Sequence, residues 1–118
     1  MTTLSGLYVE NNQLTGLPSE IGNLIKLAWL YLEGNQLSEL PAGVQHLTNL
    51  IQLSLRSNVL TELSGDICGL TALVFLDLAG NELASLPPEM GNLTALNELH
   101  LNDNQLRSLP SEIGDLVE

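Results

Sequence analysis

A period of 23 residues governs the whole chain. Leucines recur at Leu4, Leu27, Leu50, Leu73 and Leu96, and asparagines at Asn12, Asn35, Asn58, Asn81 and Asn104. A fixed period of this length means that each unit is one small structural element unable to bury its apolar face alone, so the core forms where neighbours stack. The units run 4–26, 27–49, 50–72, 73–95 and 96–118, a single array without evident capping domains. Slots 1, 4, 6, 11, 14, 18 and 21 of every unit are apolar, and these 35 positions hold all 29 leucines together with Val9, Ile21, Val44, Ile67, Met90 and Ile113. Nearly the whole aliphatic inventory thus falls in one lattice, which predicts one continuous buried core.

The LxxLxLxxNxL segment in each unit resembles the leucine-rich repeat, and the resemblance runs from end to end of the chain. It implies an α/β fold: a curved solenoid with slots 3 to 7 as short parallel strands on the concave face, slots 4 and 6 turned inward, and short helical or 3-10 turns on the convex face. The alternation within those slots is what a strand requires, because successive side chains point to opposite sides. The slot-9 asparagines have a different task. Where the backbone turns, polar groups would be costly to bury unpaired, and a short amide supplies both a donor and an acceptor. Asn12, Asn35, Asn58, Asn81 and Asn104 are therefore expected to form a structural ladder.

The second half of the unit, LPxxIGxL, places Pro18, Pro41, Pro87 and Pro110 at slot 15. A fixed φ and a missing donor suit the start of a helical turn there. This 23-residue form is similar to that of intracellular Ras-associated leucine-rich repeat scaffolds, their plant relatives and the repeat arrays of Roco-type proteins. Repeat three departs from the pattern, with Ser64 for proline, Val59 before Leu60 and Cys68 where three other repeats carry glycine. A locally altered convex turn is expected there.

Charge and cysteine usage narrow the function. Three Lys plus Arg against fourteen Asp plus Glu give a net charge of −11, the wrong sign for neutralising phosphates, so nucleic acid is excluded as a partner. Cys68 is the lone cysteine and has no disulfide partner, which fits a reducing compartment. The N-terminal MTTLSGLYVE has neither a basic region nor an unbroken apolar run, and the longest apolar stretch, Leu24 to Leu32, is interrupted by Lys26 and too short to span a bilayer. A cytoplasmic chain with no membrane association is the expectation.

Chemistry is best sought in columns, since the same slot in adjacent repeats lies about 4.8 Å away across a parallel sheet. Slot 5 reads Tyr8, Tyr31, Ser54, Asp77 and His100. Serine, aspartate and histidine in sequence suggest a hydrolase triad, but the order is wrong: the histidine must stand between nucleophile and carboxylate, and here Asp77 separates the other two. No catalytic role is assigned. Glu98, His100 and Asp103, with Asp77 beside them, mix oxygen and nitrogen donors as a metal site does. An acidic chain places carboxylates on every face, however, and neither a metal nor a cofactor is expected.

The aromatics carry the strongest functional signal. Trp29 and Phe75 occupy slot 3, and Tyr8 and Tyr31 occupy slot 5, so every aromatic residue of the chain belongs to the outward positions of the concave strands. Strands favour such residues on their own account. Yet Trp and Tyr bury large areas at small entropic cost and recur as interface anchors. The expected binding surface comprises Tyr8, Glu10, Trp29, Tyr31, Glu33, Gln52, Ser54, Arg56, Phe75, Asp77, Glu98 and His100.

These readings point to a non-enzymatic protein-interaction module. The resemblance to Ras-associated scaffolds implies a signalling partner such as a small GTPase. Two alternatives stand beside it: a recognition segment of a larger receptor, kinase or Roco GTPase, and a structural or self-assembling array. Because the terminal units have lattice residues with a neighbour on one side only, end-to-end association through uncapped termini is also expected. In that reading Met1 and Thr2 continue the repeat pattern at one end, as Leu116 and Glu118 do at the other.

Overall fold

The computed structural model describes residues 3–115; Met1, Thr2, Leu116 and Glu118 lie outside the described residues. Each unit contributes one strand and one 3-10 helix. The strands are β1 (Gly6–Tyr8), β2 (Trp29–Tyr31), β3 (Gln52–Ser54), β4 (Phe75–Asp77) and β5 (Glu98–His100), and they form one parallel sheet in sequence order. Register follows the period without slip: Leu7 pairs with Leu30, Leu30 with Leu53, Leu53 with Leu76 and Leu76 with Leu99. The strands proper cover slots 3 to 5, shorter than the expected five positions. Beyond them the ladder continues through single backbone bonds, such as Val9 N–H to the Tyr31 carbonyl at 3.0 Å and Asn11 N–H to the Glu33 carbonyl at 2.8 Å. No helix among the described residues is long and apolar enough to cross a membrane.

The core is the leucine lattice of the inner repeats. Leu27, Leu30, Leu32, Leu37, Leu47, Leu50, Leu53 and Leu55 are wholly buried, and the equivalent leucines of repeat four are as well. Complete removal from water of such a side chain stabilises the fold by about 1.5–3 kcal/mol. The lattice is not uniformly buried, as the one-sided neighbours of the terminal units lead one to expect. Leu4, Leu7, Val9 and Leu14 at one side of the array, and Leu99, Leu101, Leu106 and Ile113 at the other, are only partly buried, and Leu109 is 51% exposed. Each of these has a neighbouring repeat on one side only.

The asparagines complete the turns. Asn58 Nδ2 donates to the carbonyls of Leu32 and Leu55, both at 3.0 Å, and its Oδ1 accepts from Leu37 N–H at 3.0 Å. Asn35 and Asn81 repeat this set of bonds, and all three are buried. Asn104 donates to Leu78 and Leu101 and accepts from Leu83. Asn12 is exposed and donates within its own turn, to Val9 and Glu10.

Just before each asparagine the backbone enters the left-handed region. Asn11, Gly34, Ser57, Gly80 and Asp103 all have φ between 58° and 72°. This reversal directs the chain away from the sheet in every repeat. Glycine, asparagine and aspartate tolerate it well; serine does so at a cost.

On the convex side the 3-10 helices are η1 (Ser19–Asn23), η2 (Ala42–His46), η3 (Gly65–Gly69), η4 (Pro88–Asn92) and η5 (Ser111–Asp115). The expected alteration in repeat three does not occur. Ser64 adopts φ −67°, ψ 146°, against φ −70°, ψ 151° for Pro18, and η3 has the same length as its neighbours. Serine reaches the proline conformation freely, and its Oγ accepts from Asp66 N–H at 3.2 Å, a bond proline cannot make. Cys68 fits the same scheme, buried in the core with its thiol raised to about 11, chiefly by desolvation and secondarily by the Glu89 charge.

Candidate functional site

The sheet brings the outward residues of slots 3, 5 and 7 onto one face. Tyr8 and Tyr31, paired in register, meet edge to face with ring centroids 5.1 Å apart and planes inclined at 68°. Tyr8 is the most exposed aromatic at 56%, whereas Trp29, Tyr31 and Phe75 are half-buried. Such a pair contributes about 0.5–1.5 kcal/mol beyond the area it covers. The Tyr31 hydroxyl donates to Gln52 Oε1, linking the aromatic column to β3. Phase of the strand fixes the rest: Phe75 in β4 lies diagonally across from His100 in β5, centroids 5.3 Å apart.

Polar contacts sort the remaining candidates. Ser54 Oγ donates to Glu33 Oε2 at 3.3 Å, and Arg56 Nη1 donates to Asp77 Oδ2 at 3.4 Å. Asp77 Oδ1 accepts from the buried Ala79 N–H at 3.0 Å. Both Ser54 and Asp77 are buried, at 4% and 7% exposure, and form the floor of the face. Glu98 and His100 stand together, Nε2 to Oε2 at 3.2 Å. His100 thus faces a carboxylate of its own strand and the Phe75 ring. Among the described residues no group of three or more His, Cys, Asp or Glu is arranged to hold a metal ion.

A hollow of about 360 Å³ opens in the middle of this face, lined by Glu10, Tyr31, Glu33, Gln52, Ser54, Phe75 and Asp77. Burial raises the Tyr31 phenol above its usual pKa, and the Tyr8 phenol and the Glu10 and Glu33 carboxylates push it further in the same direction. The face therefore combines half-buried rings with negative potential. It offers contact area and charge.

A second hollow, of about 280 Å³, lies on the other side of the array between repeats two and three, with Glu39, Pro41, Glu62, Leu63, Ser64 and Asp66 among its lining residues. Nothing in the aromatic or charge pattern pointed there. The signal available in the sequence was the interrupted proline column: Ser64 lacks the ring that Pro41 and Pro87 present.

Comparison with known proteins agrees with this architecture. The family descriptions Leucine rich repeat, Leucine Rich repeats (2 copies) and Leucine Rich Repeat match residues 38–83, 71–113 and 3–24 respectively. No match is found among curated proteins. Among solved structures, a leucine-rich repeat protein of Leptospira interrogans is 41% identical with a TM-score of 0.95, over 98% of this chain and 29% of that one. The leucine-rich repeat domain of the type III effector XopL is 30% identical with a TM-score of 0.87, over 95% of this chain and 41% of that one. The plant peptide hormone receptor RGFR1, in complex with RGF2, is 30% identical with a TM-score of 0.79, over 98% of this chain and 23% of that one. The chain spans less than half the length of each. Period, sheet and relatives converge, and the chain belongs to the leucine-rich repeat family, whose repeats typically serve as protein–protein interaction modules.

Proposed function

We propose that this chain is a non-enzymatic binding module whose concave face receives a protein partner. The observation that carries this reading is the gathering of all four aromatic residues on that face, with Tyr8 and Tyr31 in edge-to-face contact. Half-buried aromatic residues bordered by polar groups are the usual energetic centre of protein interfaces. A complex of a plant hormone receptor with its peptide among the structural relatives supports the same role. The relevant experiment is affinity capture with the wild-type chain beside a Trp29→Ala, Tyr31→Ala double variant, followed by a Kd for each direct partner. Loss of about 1–2 kcal/mol or more is expected. A verified partner bound equally well by both chains refutes the assignment.

A second reading is that the module is the recognition segment of a larger protein, and one observation favours it: the array covers only 29% and 41% of two of its structural relatives. Sequencing the flanking reading frame decides between them.

A further inference from the structure

Two carboxylates on the concave face are left without a cation. Among the described residues Glu10 enters no ion pair, and the Glu33 carboxylate accepts only from the Ser54 hydroxyl at 3.3 Å. Arg56, the one cation at a concave position, is already held by Asp77 at 3.4 Å. Glu10 and Glu33 border the central hollow of about 360 Å³, and Tyr31 and Phe75 supply its aromatic walls.

Few chemical groups suit both features. A guanidinium or ammonium forms charge-assisted hydrogen bonds with carboxylates, and it is attracted to the faces of aromatic rings. Its aliphatic stem covers apolar surface at the same time. An anionic occupant meets repulsion, and a wholly apolar one strips water from two carboxylates without replacing it. The net charge of −11 adds long-range steering in the same sense.

We propose that the hollow receives a lysine or arginine side chain from an extended segment of the protein partner, its cation seated between the Glu10 and Glu33 carboxylates and the rings of Tyr31 and Phe75. This rests on the concave face being the binding surface, and adds the chemistry of the group at its centre. The exposed Tyr8 and the half-buried Trp29, on the β1–β2 side of the hollow, then contact residues next to that basic one.

The test uses a displayed library of random linear decapeptides selected on the full chain, with the enriched peptides synthesised and their Kd values measured by calorimetry. Four chains are compared: wild type, Glu10→Gln with Glu33→Gln, Trp29→Ala with Tyr31→Ala, and a convex control of Glu20→Gln with Glu112→Gln that changes net charge equally. The expected result is enrichment of peptides with one indispensable Lys or Arg, whose Kd rises at least about tenfold in the concave glutamine variant. Less than about twofold is expected in the convex control, and replacing that Lys or Arg by norleucine should abolish the difference between wild type and the concave variant. Peptides that need Trp29 and Tyr31 but carry no essential basic residue, or that bind the concave glutamine variant unchanged, overturn this proposal and leave the concave-face reading standing. Peptides indifferent to both concave variants, or no enrichment, overturn it together with its basis. Circular dichroism of each variant establishes that all four chains are folded.

Discussion

Arg56 reaches across one strand to Asp77, and the two ends of that contact have unequal roles. Arg56 is 44% exposed at its side chain, whereas Asp77 is 10% exposed and also accepts the buried Ala79 N–H at 3.0 Å. A half-exposed ion pair of this length contributes at most about 1 kcal/mol. Removing the acceptor of a buried N–H costs about 1–3 kcal/mol. Arg56→Gln is therefore expected to shift stability in urea by less than about 0.5 kcal/mol, and Asp77→Ala by about 1–2 kcal/mol. Equal losses in the two variants would show that the ion pair, not the turn bond, is what Asp77 provides.

The asparagine ladder should show a gradient. Asn58→Ala leaves the buried Leu37 N–H without its acceptor, while the Leu32 and Leu55 carbonyls each lose one of two donors and keep the amides of Asn35 and Asn81. A loss of about 1–3 kcal/mol is expected from that orphaned donor. Asn12 is exposed and serves only its own turn, so Asn12→Ala should cost under about 1 kcal/mol. Denaturant titration of both variants, with similar losses, would contradict this division.

Backbone conformation gives a pair of opposite effects. Gly34 has φ +72°, and a Cβ there would strike the Asn11 side chain, so Gly34→Ala should destabilise by about 1–2 kcal/mol. Ser57 holds φ 58° with a side chain already present. Ser57→Gly relieves that strain and loses part of the gain to the greater freedom of the unfolded chain, for a net stabilisation of about 0.5–1 kcal/mol. Thermal unfolding of the two variants should move in opposite directions.

Position 64 separates conformation from capping. Ser64→Pro suits the existing φ of −67° and restricts the unfolded chain, which offsets the lost bond to Asp66 N–H, and a change within about 0.5 kcal/mol is expected. Ser64→Ala loses the bond with no such compensation and should cost about 0.5–1 kcal/mol. Alanine more stable than proline at this position would be incompatible with the observed backbone.

Cys68 sets an alkaline limit. With its thiol raised from 9.0 to about 11 in the folded chain, the unfolded state releases its proton first as pH rises. Stability from this group is complete below pH 9.0 and falls as pH climbs towards about 11. Cys68→Ala should flatten that alkaline decline, and thiol-directed reagents should label the native wild type slowly at neutral pH. Rapid labelling under native conditions would contradict the buried position.

The leucine positions of the inner repeats were legible because one period fixed both which residues face inward and which neighbour covers them. Asn35, Asn58 and Asn81 were legible for the same reason. Slot 8 was readable and overlooked: Asn11, Gly34, Gly80 and Asp103 are residue types that accept a positive φ, but Ser57 obscured the column. Ser54 and Asp77 lie on the expected face, at its floor, a depth that alternation does not specify. Ser64 was read as a disruption, although the turn needs a φ that serine supplies readily and its internal bonds do not use that residue's N–H.

The asparagine bonds also give the array a direction. Asn35 finishes the turn of the preceding unit, accepting from Leu14 N–H and donating to the Val9 carbonyl, and Asn104 does the same for Leu83 and Leu78. Cutting away a following unit thus takes the asparagine acceptor from a main-chain N–H in the one before it, and cutting away a preceding unit takes carbonyl acceptors from main-chain N–H groups in the one after, as Ser5 serves Ala28 and Trp29 and Leu14 serves Gln36. A donor unit spliced into the middle must therefore bring an asparagine that fits its predecessor's turn as well as its own.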